Sequence, residues 1–279
     1  MSSILAALTR AQAARIRELL RDKRARNVEG AFIIEGAKPV YDVLLHHPAS
    51  VQHVVLAAAF ERQESTDQRF LRQSRSISSF RCSDRTFSAL SSLDSPQGIL
   101  AVVRQPCWNE ETLLRQPRIF GLYGEQLQDP ANVGAIIRTA AALNIDALWL
   151  SPESADFYHP KVVRASAGAV LWLPIFVLKD VAKLTQRGIA LFAAEAGNRQ
   201  TVKIEAIRHI PERLVVAVGN ESRGLSAHTI TQATCRFTIP LSRHVESLNV
   251  AATVAIAIHY LGRVSVDSSD TSLFRASQT

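Results

Sequence analysis

Apolar and charged positions alternate at helical spacing in "AARIRELLRDKRARNVEGAFIIEG", which predicts an amphipathic helix to about Arg24, a turn, and a short strand from Ala31 to Ile34 before Gly36. A helix near Pro39 to Leu45, the strand "VQHVVLA", a helix around Glu61 to Gln73, the stretch "ISSFRCS", a short helix "DRTFSALSS" and the strand "GILAVV" follow. Strands alternating with helices predict an α/β domain over residues 1–106. The polar, Pro-punctuated stretch "RQPCWNEETLLRQP" then supplies a linker at residues 107–117.

The alternation restarts over residues 118–263. Strand "RIFGLYG", a helix from about Ala131 to Leu143, strand "ALWLS", a helix near "HPKVVRASAGAV", and strand "PIFVL" come first. Helix "VAKLTQRG", strand "IALFAAE", strand "RLVVAVGN", a helix after Ser226 and strand "RFTIPL" follow. This order predicts a mostly parallel sheet with helices on both faces, whose ligands sit beyond the carboxyl ends of the strands. The last helix, Val250 to Leu261, is apolar on nearly every face, yet Ser247, Leu248 and Asn249 precede it. Capping explains Ser and Asn there; a ligand facing the helix end explains them equally. Residues 264–279 are Ser-rich and aperiodic and are expected to be a disordered tail.

Composition narrows the class. The chain has 279 residues, 47% hydrophobic and 20% charged, with no apolar run long enough to span a bilayer and no apolar signal region behind the basic N-terminus, so a cytoplasmic protein is expected. Cys82, Cys107 and Cys235 lie far apart without CxxC spacing. They encode neither a disulfide framework nor a zinc knuckle. His46, His47 and His53 have no i, i+4 ligand pair, so they read as surface residues and no metal is expected. Net charge is +7, and residues 1–106 carry 15 basic against 10 acidic side chains. Seven of those basic residues fall between Arg10 and Arg26, where guanidinium groups suit phosphate, although a solvated helix face accounts for them equally.

Three polar clusters follow predicted strands. "LQDPANVGAIIRTAA" opens a helix at Asp129-Pro130, with Asn132 in its first turn and Arg138 off the apolar stripe. "VVAVGNESRGLS" stops a strand at Gly219 and continues through Asn220, Glu221 and Gly224. "FTIPLSRHVESLNV" runs from Ile239 to Ser247, Leu248 and Asn249. Each alone is a weak signal, since the first reads as a helix start and the second as a tight turn. Together and in this order, NVGxxxR, GNExxG and IP followed by SLNV, they resemble the motifs of the SpoU, or TrmH-like, branch of the SPOUT RNA methyltransferases. The first domain is similar to the small substrate-binding domain of many such enzymes, itself similar to ribosomal proteins that grip kinked RNA. That favours ribosomal RNA over tRNA as the substrate.

The resemblance implies a deep trefoil knot in the second domain, with S-adenosylmethionine held by backbone groups around Gly219, Ile239 and Leu248, and Ala194 and Glu195 as a further wall. It implies a homodimer through the C-terminal domain and methyl transfer to a ribose 2′-OH by Arg138, Asn132, Glu221, Ser247 and Asn249. Family proposals make the arginine the base. A guanidinium has a pKa above about 12, so phosphate positioning and alkoxide stabilisation are the better physical role for Arg138. Proton removal is left to a transient neutral arginine, a water or Glu221. Arg17, Arg21 and Arg24 are expected to bind RNA. Many relatives carry Gly where this chain has Ser222, which is expected to narrow the loop's freedom without abolishing catalysis.

Other readings are an RNA-binding assembly factor without activity, a nucleotide-binding oxidoreductase and a serine hydrolase. The five polar site residues argue against the first, the missing GxGxxG fingerprint against the second. The absence of a G-x-S-x-G elbow around Ser247, with His244 nearby, argues against the third.

Overall fold

The computed structural model describes residues 5–62, 77–197, 200–242, 245 and 247–267. Contacts divide the chain into two units, residues 1–107 with 156–171, and residues 108–155 with 172–279.

In the first unit, strands β1 (Ala6–Ala7), β2 (Ala31–Glu35), β3 (Val51–Ala57), β4 (Ser78–Cys82) and β5 (Ile99–Arg104) form one sheet in the order β1-β4-β3-β5-β2. β5 runs antiparallel to both β2 and β3, while β3 and β4 are parallel. The N-terminal helix Arg10–Arg21 begins at a capping box. Thr9 accepts from the Gln12 backbone N–H, and the Gln12 side chain accepts from the Thr9 N–H. Its buried stripe, Ala13, Ile16, Leu19 and Leu20, packs on Ile33, Val55, Leu100 and Val102 of the sheet. The helix ends at Asp22, which caps a second helix, Lys23–Glu29, and Gly30 turns the chain into β2 from a left-handed conformation (φ 56°). Of the helix expected around Glu61 to Gln73, Ala58–Arg62 is helical and the rest lies outside the described residues.

Residues 156–171, assigned from sequence to the second domain, belong by contact to the first. Arg26 is buried, and its Nε and Nη2 donate to Asp156 Oδ2 at 2.9 and 2.6 Å while Nη1 donates to the Leu19 carbonyl at 2.7 Å. The Phe32 and Tyr158 rings pack at 4.8 Å between centroids. His53, expected at the surface, is buried in β3 with its ring edge-on to Phe80. Burial, and then the nearby Arg15, hold its pKa below the usual value.

In the second unit, β6 (Ile119–Gly124), β7 (Leu148–Leu150), β8 (Ile175–Val177), β9 (Ala190–Ala194), β10 (Val202–Lys203), β12 (Arg213–Val218) and β13 (Cys235–Thr238) form a seven-stranded sheet. Its order is β10-β13-β9-β12-β6-β7-β8 and every pairing is parallel. Fully parallel strands need both faces covered, which explains near-continuous apolar runs such as "LVVAV". The order reverses at β6 and β12, so their carboxyl ends flank the topological switch point.

All of the expected linker but its first residue, Cys107, is part of this unit. Helix Glu110–Leu114 is fastened by Trp149 Nε1 donating to Glu110 Oε1 at 2.6 Å, by the Arg187–Glu111 ion pair, and by Arg213 Nη2 donating to the Leu114 carbonyl. The expected tail is also structured at its start. Strand β14 (Ser265–Asp267) pairs in parallel with β11 (His209–Pro211), an edge that no local pattern announces, and residues 268–279 lie outside the described residues.

Candidate active site

All three polar clusters meet at the carboxyl ends of the second sheet. Helix Pro130–Ala142 follows β6 and starts as its sequence dictates, with Pro130 in the first turn and Asp129 accepting from the Ala131 N–H at 2.9 Å. That places Asn132 in the first turn, buried. Helix Val250–Leu261 packs against it and is capped by Asn249, whose Oδ1 accepts from the Ala251 and Ala252 N–H groups.

The cap sets the polarity of a longer chain. With Oδ1 committed to backbone donors, Asn249 turns Nδ2 outward and donates to Asn132 Oδ1 at 2.9 Å. Asn132 Nδ2 must then find an acceptor, and it donates to Glu221 Oε1 at 2.9 Å. Three residues from three motifs thus form one directed hydrogen-bond chain.

Glu221 rides on a tight loop after β12. Asn220 and Gly224 exchange backbone hydrogen bonds at 3.1 and 2.9 Å, and Asn220 Oδ1 accepts from the N–H groups of Ser222 and Arg223. Gly224 is left-handed (φ 70°). Gly219 is required for a different reason, since a Cβ there would overlap the Gly224 carbonyl and the Leu225 nitrogen. Ser222 has no positive φ, so a side chain is accommodated at that position without backbone strain.

Beside this loop lies a cavity of about 820 Å³. Gly219, Ile239, Leu248, Ala194 and Glu195, the expected cofactor wall, all line it, as do Glu221 and Ser247. Asn132 and Asn249 stand behind Glu221 rather than on the wall. The Glu195 carboxylate is held by Arg236, with Nη2 donating to Oε1 at 3.1 Å and Nε donating to Oε2, so its charge is neutralised and its backbone and stem are what the wall offers. A lining that mixes aliphatic side chains with backbone, polar and charged groups, around a cavity of this size, suits a small organic ligand with both apolar and polar parts.

Arg138 is not brought into the chain. It lies six residues beyond Asn132, about 120° round the helix, exposed, and its side chain makes no hydrogen bond to any described residue. His244, invoked in the hydrolase reading, lies outside the described residues. In the first unit, Arg21 and Arg24 are exposed, Arg17 is half-buried, and none makes an ion pair among the described residues. Arg15 and Arg26 are committed internally, to Glu29 and Asp156, so the available basic face is smaller than the sequence suggests.

The sequence reading missed Glu125 and Gln126. Gln126 is left-handed (φ 54°), its N–H donates to Ser151 Oγ at 2.8 Å, and its carbonyl accepts from Asn220 Nδ2 at 2.9 Å. The available signal was an acidic residue immediately after a β-strand at the switch point.

The model of the SpoU rRNA Methylase family matches residues 120–259, half of the chain, and includes all three clusters. The chain belongs to the SpoU rRNA methylase family. Residues 14–101 match the MRM3-like substrate binding domain, which joins the first unit to the same kind of enzyme. An uncharacterized tRNA/rRNA methyltransferase of Synechocystis is 30% identical over 270 residues, covering 93% of this chain and 94% of its own. The Bacillus subtilis 23S rRNA (guanosine(2553)-2′-O)-methyltransferase RlmP is 29% identical, covering 87% and 92%.

Among solved structures, one from Porphyromonas gingivalis assigned to the TrmH family of RNA methyltransferases superposes with a TM-score of 0.74 at 31% identity. It covers 92% of this chain and 98% of its own. AviRb from Streptomyces viridochromogenes, a SpoU methyltransferase solved with AdoMet, shares the fold with a TM-score of 0.76 at 23% identity, covering 91% and 98%. No group of three His, Cys, Asp or Glu that could hold a metal occurs among the described residues of this SpoU chain. No described helix is long and apolar enough to cross a membrane.

Proposed function

We propose that this SpoU protein transfers a methyl group from S-adenosylmethionine to a ribose 2′-OH of ribosomal RNA. One observation carries the reading: the Asn249–Asn132–Glu221 chain stands behind a cavity roomy enough for a cofactor at the switch point. The cavity fits the cofactor on its own terms, with the backbone of Gly219 on its wall, Ile239 and Leu248 as apolar walls, and the Glu195 charge already neutralised. When bound, S-adenosylmethionine supplies an electrophilic methyl group on a sulfonium.

The reaction asks the protein for alignment and for removal of one proton. Glu221 uses Oε1 for Asn132, while Oε2 has no partner among the described residues, and the residue lines the cavity. We assign the 2′-hydroxyl proton to that oxygen, directly or through a water, with Ser247 orienting the hydroxyl. Arg138 holds an adjacent RNA phosphate and stabilises developing alkoxide charge. Arg17, Arg21 and Arg24 bind RNA from the first unit.

Ribosomal RNA is favoured over tRNA by the relative RlmP and by the substrate-binding match at residues 14–101. The same reading places the protein in the cytoplasm, as residues 1–106 and 118–263 working in series. We further read the path of the second unit as a trefoil knot, supported by the late insertion of β12 between β6 and β9. A homodimer is supported by the outer face of helix Val250–Leu261, where Ile256 is 42% exposed beside the exposed Ala252.

Calorimetric titration with S-adenosylmethionine tests the reading. One-to-one binding that is lost on Leu248→Asp agrees with it, and an absence of heat with or without ribosomal RNA contradicts it.

A further inference from the structure

Glu125 is the first residue beyond β6, and its N–H donates to the Val218 carbonyl at 2.9 Å, beside the end of β12. Its side chain is 9% exposed and forms no ion pair among the described residues. Hydrogen bonds alone satisfy it: the Ser226 N–H donates to Oε2 at 2.7 Å, and the hydroxyls of Ser226 and Thr229 donate to Oε1, each at 2.8 Å. A carboxylate buried without a cation is expensive, and three donors converging on it are the arrangement that makes it tolerable. An apolar residue in its place would leave the Ser226 N–H and the Ser226 and Thr229 hydroxyls without this acceptor, so the carboxylate is defined by what it holds.

It holds one end of the loop that carries Glu221. The loop runs from Gly219 to Ser226 and is fastened near its start by Asn220 Nδ2 donating to the Gln126 carbonyl. Glu125 fastens the far end at Ser226. Two consecutive residues after β6 therefore grip opposite ends of the loop after β12, and the Asn132–Glu221 bond ties its middle to the helix that follows. Gly219, Glu221 and Leu225 of this loop line the cavity.

We propose that Glu125 is a positioning residue for methyl transfer, acting through Ser226 to set the loop that walls the cofactor cavity and presents Glu221. This rests on the function proposed above. A displacement of about 1 Å in a catalytic frame can cost on the order of a hundredfold in rate.

The test compares two cuts at one carboxylate. Glu125→Gln keeps an oxygen for the two hydroxyls but turns an amide N–H₂ toward the Ser226 N–H, loosening the loop end. Thr229→Val removes the bond to the short helix Ala227–Gln232 and leaves the loop anchor in place. S-adenosylmethionine dissociation constants and kcat on ribosomal RNA are measured for both, well below their melting temperatures. Glu125→Gln is expected to weaken cofactor binding about tenfold and lower kcat by at least that factor, with Thr229→Val within about twofold of wild type in both.

If Glu125→Gln does not fold, Ser226→Ala, which removes one bond of the same anchor, is expected to weaken cofactor binding about threefold. Wild-type kinetics in Glu125→Gln, or in Ser226→Ala where that variant stands in, overturns the proposal. So does an equal loss in Thr229→Val. Failure of the wild-type protein to bind S-adenosylmethionine would instead overturn the functional reading, and so the two failures are distinguishable.

Discussion

Asn249 Nδ2 donates to Asn132 Oδ1 at 2.9 Å across 117 residues of chain, joining the cap of the last helix to the first turn of the helix after β6. The bond runs in one direction only, because Asn249 Oδ1 is committed to backbone donors, and this direction delivers an N–H to Glu221.

Asn132→Asp replaces that donor with an acceptor facing a carboxylate. It should lower methyl transfer by about 10² to 10³, as for loss of one preorganised donor, while cofactor affinity stays within a few-fold. Single-turnover kinetics with a parallel binding titration check it. The protein should also lose about 1–3 kcal/mol of stability from the unsatisfied buried groups.

Gly219→Ala and Gly224→Ala should fail differently. A methyl group at 219 overlaps the backbone of Gly224 and Leu225, so the loop must move and the cofactor dissociation constant should rise at least about tenfold. At 224 there is open space but a left-handed backbone, so the cost should be about 1–2 kcal/mol of stability with nearly native binding. Thermal melts and titrations on both variants separate the two effects.

The site was largely legible because its residues announce themselves locally. Gly219 and Ile239 each directly follow a strand, whose end in a parallel sheet faces the ligand, and Leu248 sits just ahead of the last helix. Glu125 was not, since an acid after a strand looks like any loop residue until Ser226 and Thr229 fold against it. Arg26 misled in the other direction: it reads as part of a basic face but is buried against Asp156, 130 residues away, a pairing no local pattern encodes. The same long-range pairings move residues 156–171 into the first unit. β14 was missed because its partner β11 supplies the order that the Ser-rich segment lacks.

Arg138→Lys should be almost as inactive as Arg138→Ala, each down about 10² to 10³, with cofactor binding intact. A single ammonium cannot reproduce two parallel N–H bonds to phosphate. A lysine variant that keeps most activity, or gains it as pH rises, would make Arg138 the proton acceptor.

Neutralising Arg17, Arg21 and Arg24 together should weaken RNA binding and flatten its salt dependence by roughly 0.7 to 0.9 in log–log slope for each phosphate no longer engaged. Binding isotherms across a salt series measure it. Arg26→Ala should instead destabilise the protein by about 2–4 kcal/mol, because it leaves the largely buried Asp156 carboxylate without its partner.

His53 gives a pH dependence. Its folded pKa lies below the usual histidine value of 6.5, so as pH falls through 6.5 the unfolded chain takes up the proton first and stability declines. Above that pH both states are neutral and the contribution is flat. Melting temperatures from pH 7.5 down to about 5 should fall less steeply in His53→Gln than in the wild type.

Methyl transfer to a ribose oxygen is best tested by locating the transferred methyl. Ribosomal RNA is incubated with the protein and methyl-labelled S-adenosylmethionine and then hydrolysed in alkali, which cleaves each phosphodiester through its free 2′-hydroxyl. A 2′-O-methylated ribose blocks cleavage at its own 3′ side. The label is therefore predicted in an alkali-stable dinucleotide, and it should disappear with Asn132→Asp. Label recovered in mononucleotides, as base methylation would leave it, or no incorporation at all, would refute ribose methylation by this protein.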